Sequence, residues 1–302
     1  MIWAAGQVMA EPMLTVSIAD RTFEHGLGLF ETLRTWSREP VLLARHMARL
    51  MNSAQQLGVP VDPAILPTTA AVAELLYAQG IKGDALLRIT LTGGLSASAG
   101  SVAWMRAGPL PPSPQGGATM LGFWTIAHDD PLARHKTLNY WRRRLAFEQA
   151  QAVGSDEFLA RTPDGLVWEG SRTNLFAVFG QRVETPPLSG PIVPGVMRKL
   201  VLEKAAGLGL KVGERPLHED ELSQADEVFL TNGVRGILPV ARLMTTGQSS
   251  KAEAGGERPP ESSEARQSID GPRLIKEWPA PGSCTDMIWN DVLSALHRGG
   301  PV

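Results

Sequence analysis

Residues Lys136–Phe176, KTLNYWRRRLAFEQAQAVGSDEFLARTPDGLVWEGSRTNLF, decide how this chain is read. Lys136 is followed by Asn139 and Tyr140, and Tyr140–Val153 then carries a helical pattern stopped by Gly154. Asp156–Arg161 and Leu166–Trp168 read as strands joined by Thr162-Pro163-Asp164-Gly165, a sequence suited to a tight turn. Glu169-Gly170-Ser171 and Asn174 follow at once. An amine and a carboxylate on opposite sides of one site suit a chemistry in which lysine condenses with an aldehyde and the carboxylate keeps a ring nitrogen protonated. The run Arg142-Arg143-Arg144 reads as a solvated helix face rather than a nucleic-acid surface.

C-terminal to this stretch, Asn174–Phe179 and Arg182–Thr185 form a short strand pair across Gly180-Gln181. Pro194-Gly195 then precedes an amphipathic helix with Val196, Leu200, Val201, Ala205 and Leu208 on one side. A helix start without a capping side chain leaves N–H groups free for a phosphate. His218-Glu219-Asp220-Glu221 lacks a second histidine, so it reads as a polar helix start and no metal site is expected. Glu227–Leu230 is a strand running into Thr231-Asn232-Gly233, small polar residues that suit a ligand contact or a turn. From Thr245 to about Gly282 the composition turns to Ser, Glu, Gly, Pro and Lys without periodicity, which reads as a mobile insertion at 245–282. Asp286–His297 closes the chain as an amphipathic helix.

N-terminal to it, Ala118–Ala127 reads as a strand, and Ala107–Gly117 (AGPLPPSPQGG) as a linker. The boundary gives a smaller domain at 1–106 and a larger one at 118–302. Ala85–Thr92 is a dense strand containing Arg88, which must find an anion or face water. Helices are expected at 68–79 and at 46–57, the latter with Arg49 beside its apolar stripe. Phe30–Trp36 is a strand, Glu39-Pro40 a hairpin turn and Val41-Leu42-Leu43 the returning strand. Gly26 and Gly28 permit a tight turn or close backbone packing before Phe30, and residues 1–20 hold a short strand and a polar turn.

Composition narrows the class. With 43% apolar and 20% charged residues among 302, the profile is that of a globular protein with room for two cores. A net charge of −2 provides no field for nucleic acid or acidic lipid. The lone Cys284 excludes an internal disulfide framework and fits a reducing cytoplasm. A signal peptide and a membrane span are not expected, so neither membrane nor nucleic acid is anticipated as a partner. The phosphate loop G-x-x-x-x-G-K-[ST], H-E-x-x-H and G-x-S-x-G are absent.

The order of these signals carries more than any one of them. Arg49 in H-M-A-R-L, Lys136 before Asn-Tyr, Glu169 in E-G-S-x-x-N-x-F, P-G-V-M-R at 194–198 and Thr231-Asn232 form a series. It resembles the class IV, fold-type IV pyridoxal phosphate enzymes, which include branched-chain aminotransferases, D-amino acid aminotransferases and aminodeoxychorismate lyases. The resemblance spans roughly residues 14–243. It implies a two-domain α/β fold of α+β type, D-amino acid aminotransferase-like, binding pyridoxal 5'-phosphate between the domains. It further implies that Lys136 forms a Schiff base with the cofactor and shuttles protons, and that Glu169 pairs with the pyridine nitrogen. Tyr140 would lie near the cofactor hydroxyl, while Arg49, the backbone N–H groups of Val196 and Met197, and Thr231 would hold the phosphate. Arg34 and Arg88 are candidate carboxylate binders for a small amino substrate, with Asn232 beside them. Relatives are homodimers, so a homodimer is expected.

T-N-G-V-R-G-I-L-P-V at 231–240 and K-T-L-N at 136–139 lean towards the lyases rather than the aminotransferases. His25 and Leu27 depart from the pattern: many relatives have an aromatic residue at the first position and aspartate at the second.

Overall fold

The computed structural model describes residues 1–245 and 272–297. Residues 2–108 build an antiparallel sheet from β1 (Ile2–Ala4), β2 (Gln7–Met9), β3 (Gly28–Trp36), β4 (Glu39–Pro40), β5 (Leu86–Thr92) and β6 (Ala103–Gly108). Its order is β2-β1-β6-β5-β3-β4. Strand alternation sends Leu33, Leu87, Ile89 and Met105 to one face. There they pack with Val72, Leu75 and Leu76. A short helix α1 (Arg21–His25) precedes β3, while α2 (Leu43–Leu57) and α3 (Thr69–Ala78) follow the β3–β4 hairpin. Gly58, at φ 62°, closes α2 by returning its N–H to Ala54, and the Thr68 hydroxyl caps α3 at the Ala71 N–H. The opposite face of the sheet carries Phe30, Thr32 and Arg88, and this face turns to the rest of the molecule.

The second sheet contains β7 (Ala118–Thr125), β8 (Glu157–Arg161), β9 (Leu166–Gly170), β10 (Asn174–Phe179), β11 (Arg182–Thr185), β12 (Lys211–Glu214), β13 (Leu217–His218), β14 (Glu227–Asn232), β15 (Gly236–Thr245) and β16 (Arg273–Glu277). β7 lies parallel to both β15 and β8, and β9 returns to β10 through the pair Glu169–Asn174. The path β10-β14-β15-β7-β8-β9 therefore closes on itself, and its interior is filled by residues such as Met120, Leu159, Leu175, Leu230 and Val240. α4 (Trp141–Ala152) covers β7 and β8 with Ala146 and Ala150. The sheet is flanked on β10 and β14 by α5 (Val196–Gly207) and, after the single turn α6 (Glu219–Leu222), by α7 (Ser283–His297). The result is the mixed α/β architecture expected from the sequence.

Four elements differ from the sequence reading. Ser37 and Arg38, both at positive φ (50° and 67°), make the hairpin turn, so Glu39-Pro40 is itself the returning strand. Leu42, also at positive φ, redirects the chain and Leu43 begins α2; Val41-Leu42-Leu43 is not a strand. Within 245–282, Arg273–Glu277 is a strand on the edge of β15. Its side chains are mostly exposed, so no alternation marks it in the sequence. Residues 278–282 do not follow the expected mobile insertion either, since Trp278 is buried and donates its Nε1–H to the Ala225 carbonyl (3.0 Å), while 246–271 lie outside the described residues. Finally, α7 begins at Ser283 rather than Asp286 because the buried Glu227 carboxylate accepts the N–H groups of Cys284 and Thr285 (2.8 and 2.7 Å). A cap supplied from so far along the chain leaves no local signal.

Candidate active site

Between the two sheets lies a cavity of about 500 Å³, into which all the predicted residues but Arg34 converge from separate elements. Lys136 is placed by β3. The Phe30 N–H donates to the Lys136 carbonyl (2.9 Å), the Leu138 N–H donates to the Gly28 carbonyl (3.0 Å), and Leu29 bridges Thr137. So close an approach requires the glycine: Gly28 sits at φ 136°, and a Cβ there would run into Leu91 O and Leu138. The Lys136 amine lies 4.5 Å from the Phe30 ring centroid. Burial first, then the neighbouring Arg49, Arg143 and Arg88 cations, lower its pKa to about 7, with Glu31 pulling the other way. Near neutral pH much of this lysine is an uncharged nucleophile.

Glu169, near the end of β9, is buried and lines the same cavity as the lysine. Its Oε1 accepts from Arg143, and its Oε2 accepts from Asn174 Nδ2 (3.2 Å) and the Val193 N–H (3.1 Å). Burial raises the carboxyl above its usual range while these donors, Arg143 foremost, work against the shift. Arg143 is therefore no solvated surface residue. The expectation for the Arg142–Arg144 run holds for Arg142 and Arg144, which are exposed, and fails for Arg143. Tyr140, Arg143 and Phe147 share the cavity-facing stripe of α4 and its lead-in, a spacing visible in the sequence. Tyr140 is wedged edge-on to Phe30 (5.1 Å) and donates to the Ser171 carbonyl (3.1 Å).

Arg49 reaches the cavity from α2. Its Nε and Nη2 bond both oxygens of Glu31 (2.8 and 2.6 Å), and its Nη1 bonds the Pro194 carbonyl (2.9 Å). His46 Nδ1 lies 2.7 Å from the same carboxylate. Burial alone would raise the Glu31 pKa, but Arg49 and His46 outweigh it and hold the group well below the usual range. Glu31 was not singled out from the sequence. Its signal was phase: in β3 it falls in register with buried Leu29 and Leu33.

Pro194 leads directly into α5, whose cap residue Gly195 supplies no side-chain bond. The N–H groups of Val196 and Met197 thus lack intrahelical partners at the cavity wall. A Cβ at Gly195 would run into Asn174 Oδ1, so this cradle needs the glycine. Thr231 completes the wall, and its Oγ1 is buried without a hydrogen-bond partner among the described residues. An arginine, a bare helix N-terminus and an orphaned hydroxyl form a donor set suited to a phosphate dianion. With a half-neutral lysine and a buried glutamate in the same cavity, the residues fit a phosphorylated aldehyde with a ring nitrogen.

Two of the remaining candidates behave differently from expectation. Arg34 does not line the cavity: it pairs with Asp84 at 3.7 Å and lies 4.8 Å from the Trp36 ring centroid. Asn232 does line it, but its Oδ1 accepts the N–H groups of Val234 and Arg235 (3.0 and 2.7 Å) and so shapes the β14–β15 turn. Arg88 faces the cavity, 4.0 Å from the Phe30 ring centroid, and stands directly opposite Arg106 on β6. Like charges so placed are unfavourable without an anion. Arg172 and Arg235 also reach the cavity and were not anticipated.

A two-sheet α/β scaffold with such a lysine and anion cradle at its junction defines a pyridoxal phosphate enzyme of the mixed-sheet kind. The chain belongs to the class IV aminotransferase family, whose model matches residues 28–243, and the members of that family use pyridoxal 5'-phosphate. It is 28% identical to the aminodeoxychorismate lyase of Bacillus subtilis over 83% of this chain and 89% of that one. With the branched-chain-amino-acid aminotransferase of Escherichia coli it shares 26% identity, over 79% and 83%. The crystal structure of 4-amino-4-deoxychorismate lyase from Pseudomonas aeruginosa superposes with a TM-score of 0.73 at 29% identity, covering 97% and 98%.

Proposed function

We propose that this enzyme is an aminodeoxychorismate lyase, forming 4-aminobenzoate and pyruvate for folate synthesis. The observation that carries this reading beyond the family is the Thr231-Asn232-Gly233 end of β14, which lines the cavity in the form that leans towards the lyases. Arg88, a cation aimed into the cavity, opposed by Arg106 and without an acidic partner among the described residues, suits a substrate carboxylate, and the similarity to two lyases supports the reading.

Pyridoxal phosphate bound here would supply an aldehyde for the substrate amine and a ring that draws electrons from the adjacent carbon. Arg49, the N–H groups of Val196 and Met197, and the Thr231 hydroxyl would hold its phosphate, and Glu169 would serve its ring nitrogen. The Lys136 amine takes the proton from the amine-bearing ring carbon of the substrate. The bond from ring carbon to enolpyruvyl oxygen then breaks and the ring becomes aromatic. Lys136 returns a proton to the methylene carbon of the departing enolpyruvate, which leaves as pyruvate, so no amino acceptor is consumed. Arg88 orients a carboxylate of the substrate throughout.

The deciding experiment incubates the holoenzyme with aminodeoxychorismate and no 2-oxo acid. Stoichiometric 4-aminobenzoate and pyruvate support the lyase. Amino transfer from branched-chain or D-amino acids to 2-oxoglutarate, without lyase turnover, would establish the aminotransferase instead. The same reading includes a homodimer in the cytoplasm. Exposed Ile18 and Phe23, with Leu27 and Leu95, offer a second copy an apolar surface where the start of β3 meets the end of β5. Among the described residues no helix is long and apolar enough to cross a membrane.

A further inference from the structure

Arg172 and Arg235 line the outer part of the cavity and have no part in the chemistry above. Arg172 follows Ser171 in the β9–β10 turn, and its guanidinium lies 3.3 Å from the Phe147 ring centroid. That contact engages the flat face of the guanidinium, fixes its plane and leaves the N–H fork at its edge available. Glu157, the acid that offsets its charge, is committed elsewhere: its oxygens accept from the Ser171 N–H (2.9 Å), the Thr173 hydroxyl (3.0 Å) and the backbone N–H of Arg172 itself (3.2 Å).

Arg235 stands in the β14–β15 turn that Asn232 shapes. One arm donates to the Pro112 carbonyl at 3.0 Å, which anchors the side chain to the connection between the sheets. Its Nε is buried and has no partner among the described residues. Both guanidinium groups line the one cavity, and partial burial first, then the nearby Arg235 cation, disfavours the charge of Arg172. Arg172 is exposed at the cavity mouth and Arg235 half-buried, so an anion joining them would offset their like charges and satisfy the buried Arg235 donor.

We propose that Arg172 and Arg235 form a second carboxylate subsite, so that the cavity accepts amino substrates bearing two carboxylates, the ring carboxylate directed to Arg88 and the enolpyruvyl carboxylate to this pair. The inference rests on the lyase reading and deepens it. Arg88 projects from the first sheet, whereas Arg172 and Arg235 project from the second. A substrate spanning both is held with its amine-bearing ring in the intervening space beside Lys136. An amino acid with one carboxylate engages only one of the two.

The test uses the holoenzyme, with calorimetric titration of two non-reacting or product ligands. Chorismate carries both carboxylates and lacks the amine; 4-aminobenzoate carries one carboxylate. In Arg172→Gln and Arg235→Gln, chorismate is expected to bind about tenfold to a hundredfold more weakly, the range for loss of a charged hydrogen-bonded contact. Binding of 4-aminobenzoate is expected to move less than about twofold, and the cofactor absorbance stays as in the wild type. Arg172→Lys, which keeps a charge but not the planar fork, is expected to fall between. Unchanged chorismate binding in both glutamine variants would overturn the subsite, as would equal weakening of both ligands. These titrations need no turnover. Failure of the wild type to release pyruvate sinks the lyase reading, and unchanged chorismate binding sinks only the subsite.

Discussion

Lys136 and Glu169 show how much one residue can depend on its surroundings. A lysine with a pKa near 7 reacts differently from one in water, and burial among arginines is the cause. In the cofactor-free protein, competitive labelling with acetic anhydride should show Lys136 reactivity rising with a midpoint at about pH 7, while surface lysines rise near pH 10. A midpoint above pH 9 would remove the electrostatic account. Arg143 invites a second measurement. Arg143→Met leaves Glu169 buried without its cation, a change that costs about 3–5 kcal/mol in comparable buried pairs. The folded-state pKa of the carboxyl, already raised, rises further, so the unfolded chain binds fewer protons and stability falls as pH increases. Urea denaturation should therefore show a larger loss at pH 8 than at pH 5; equal losses would contradict it. That Lys136, Glu169 and Arg49 share one cavity was legible from the sequence because each sits in a short block of the series that resembles the family. Arg143 was not, because being one of three consecutive arginines hides which of them faces inward.

At the scale of elements, the turn before α5 does the most with the least chemistry. Gly195→Ala would press a methyl group against Asn174 Oδ1 and displace the first turn of the helix. Pyridoxal phosphate should bind more than about tenfold more weakly, as expected for loss of charge-assisted N–H contacts, with the far-ultraviolet spectrum unchanged. Undiminished affinity would mean that the helix start does not contact the phosphate. A packing prediction concerns Gly190, where an added Cβ would meet the Trp168 ring. Gly190→Ala should lower stability by about 1–3 kcal/mol by overpacking, and a neutral effect in denaturant titration would refute it. Helices and central strands were legible from their periodicity: 46–57 and 68–79 became Leu43–Leu57 and Thr69–Ala78. Arg273–Glu277 and the first turn of α7 were hidden because distant residues, β15 and Glu227, specify them. The Val41–Leu43 strand failed because a few positive φ values outweighed the propensity of three apolar residues.

The whole molecule is arranged so that neither sheet owns the cavity. The first sheet brings Arg49 on its helix and Arg88 on its strand; the second brings Lys136, Glu169 and Thr231. Sequence could place these residues in order but could not pair β7 with β15, whose contacts join position 118 to 240. If two copies form the working enzyme, sedimentation should show a species of twice the chain mass, and Phe23→Glu should shift it towards the single chain. A monomer with full activity would exclude the dimer.

The backbone bonds around β3 bear on how the enzyme breathes. The outer edge of that strand is sewn to the other half by three main-chain bonds, Phe30 to Lys136, Leu138 to Gly28 and Arg34 to Gly233, with Arg49 fastening Pro194 as well. A jaw that opened along this seam would have to tear main-chain stitches at each turnover. The enzyme should instead act as a preset mould, filled and emptied while its two halves keep one outline, and solution scattering from the free and ligand-filled forms should overlay.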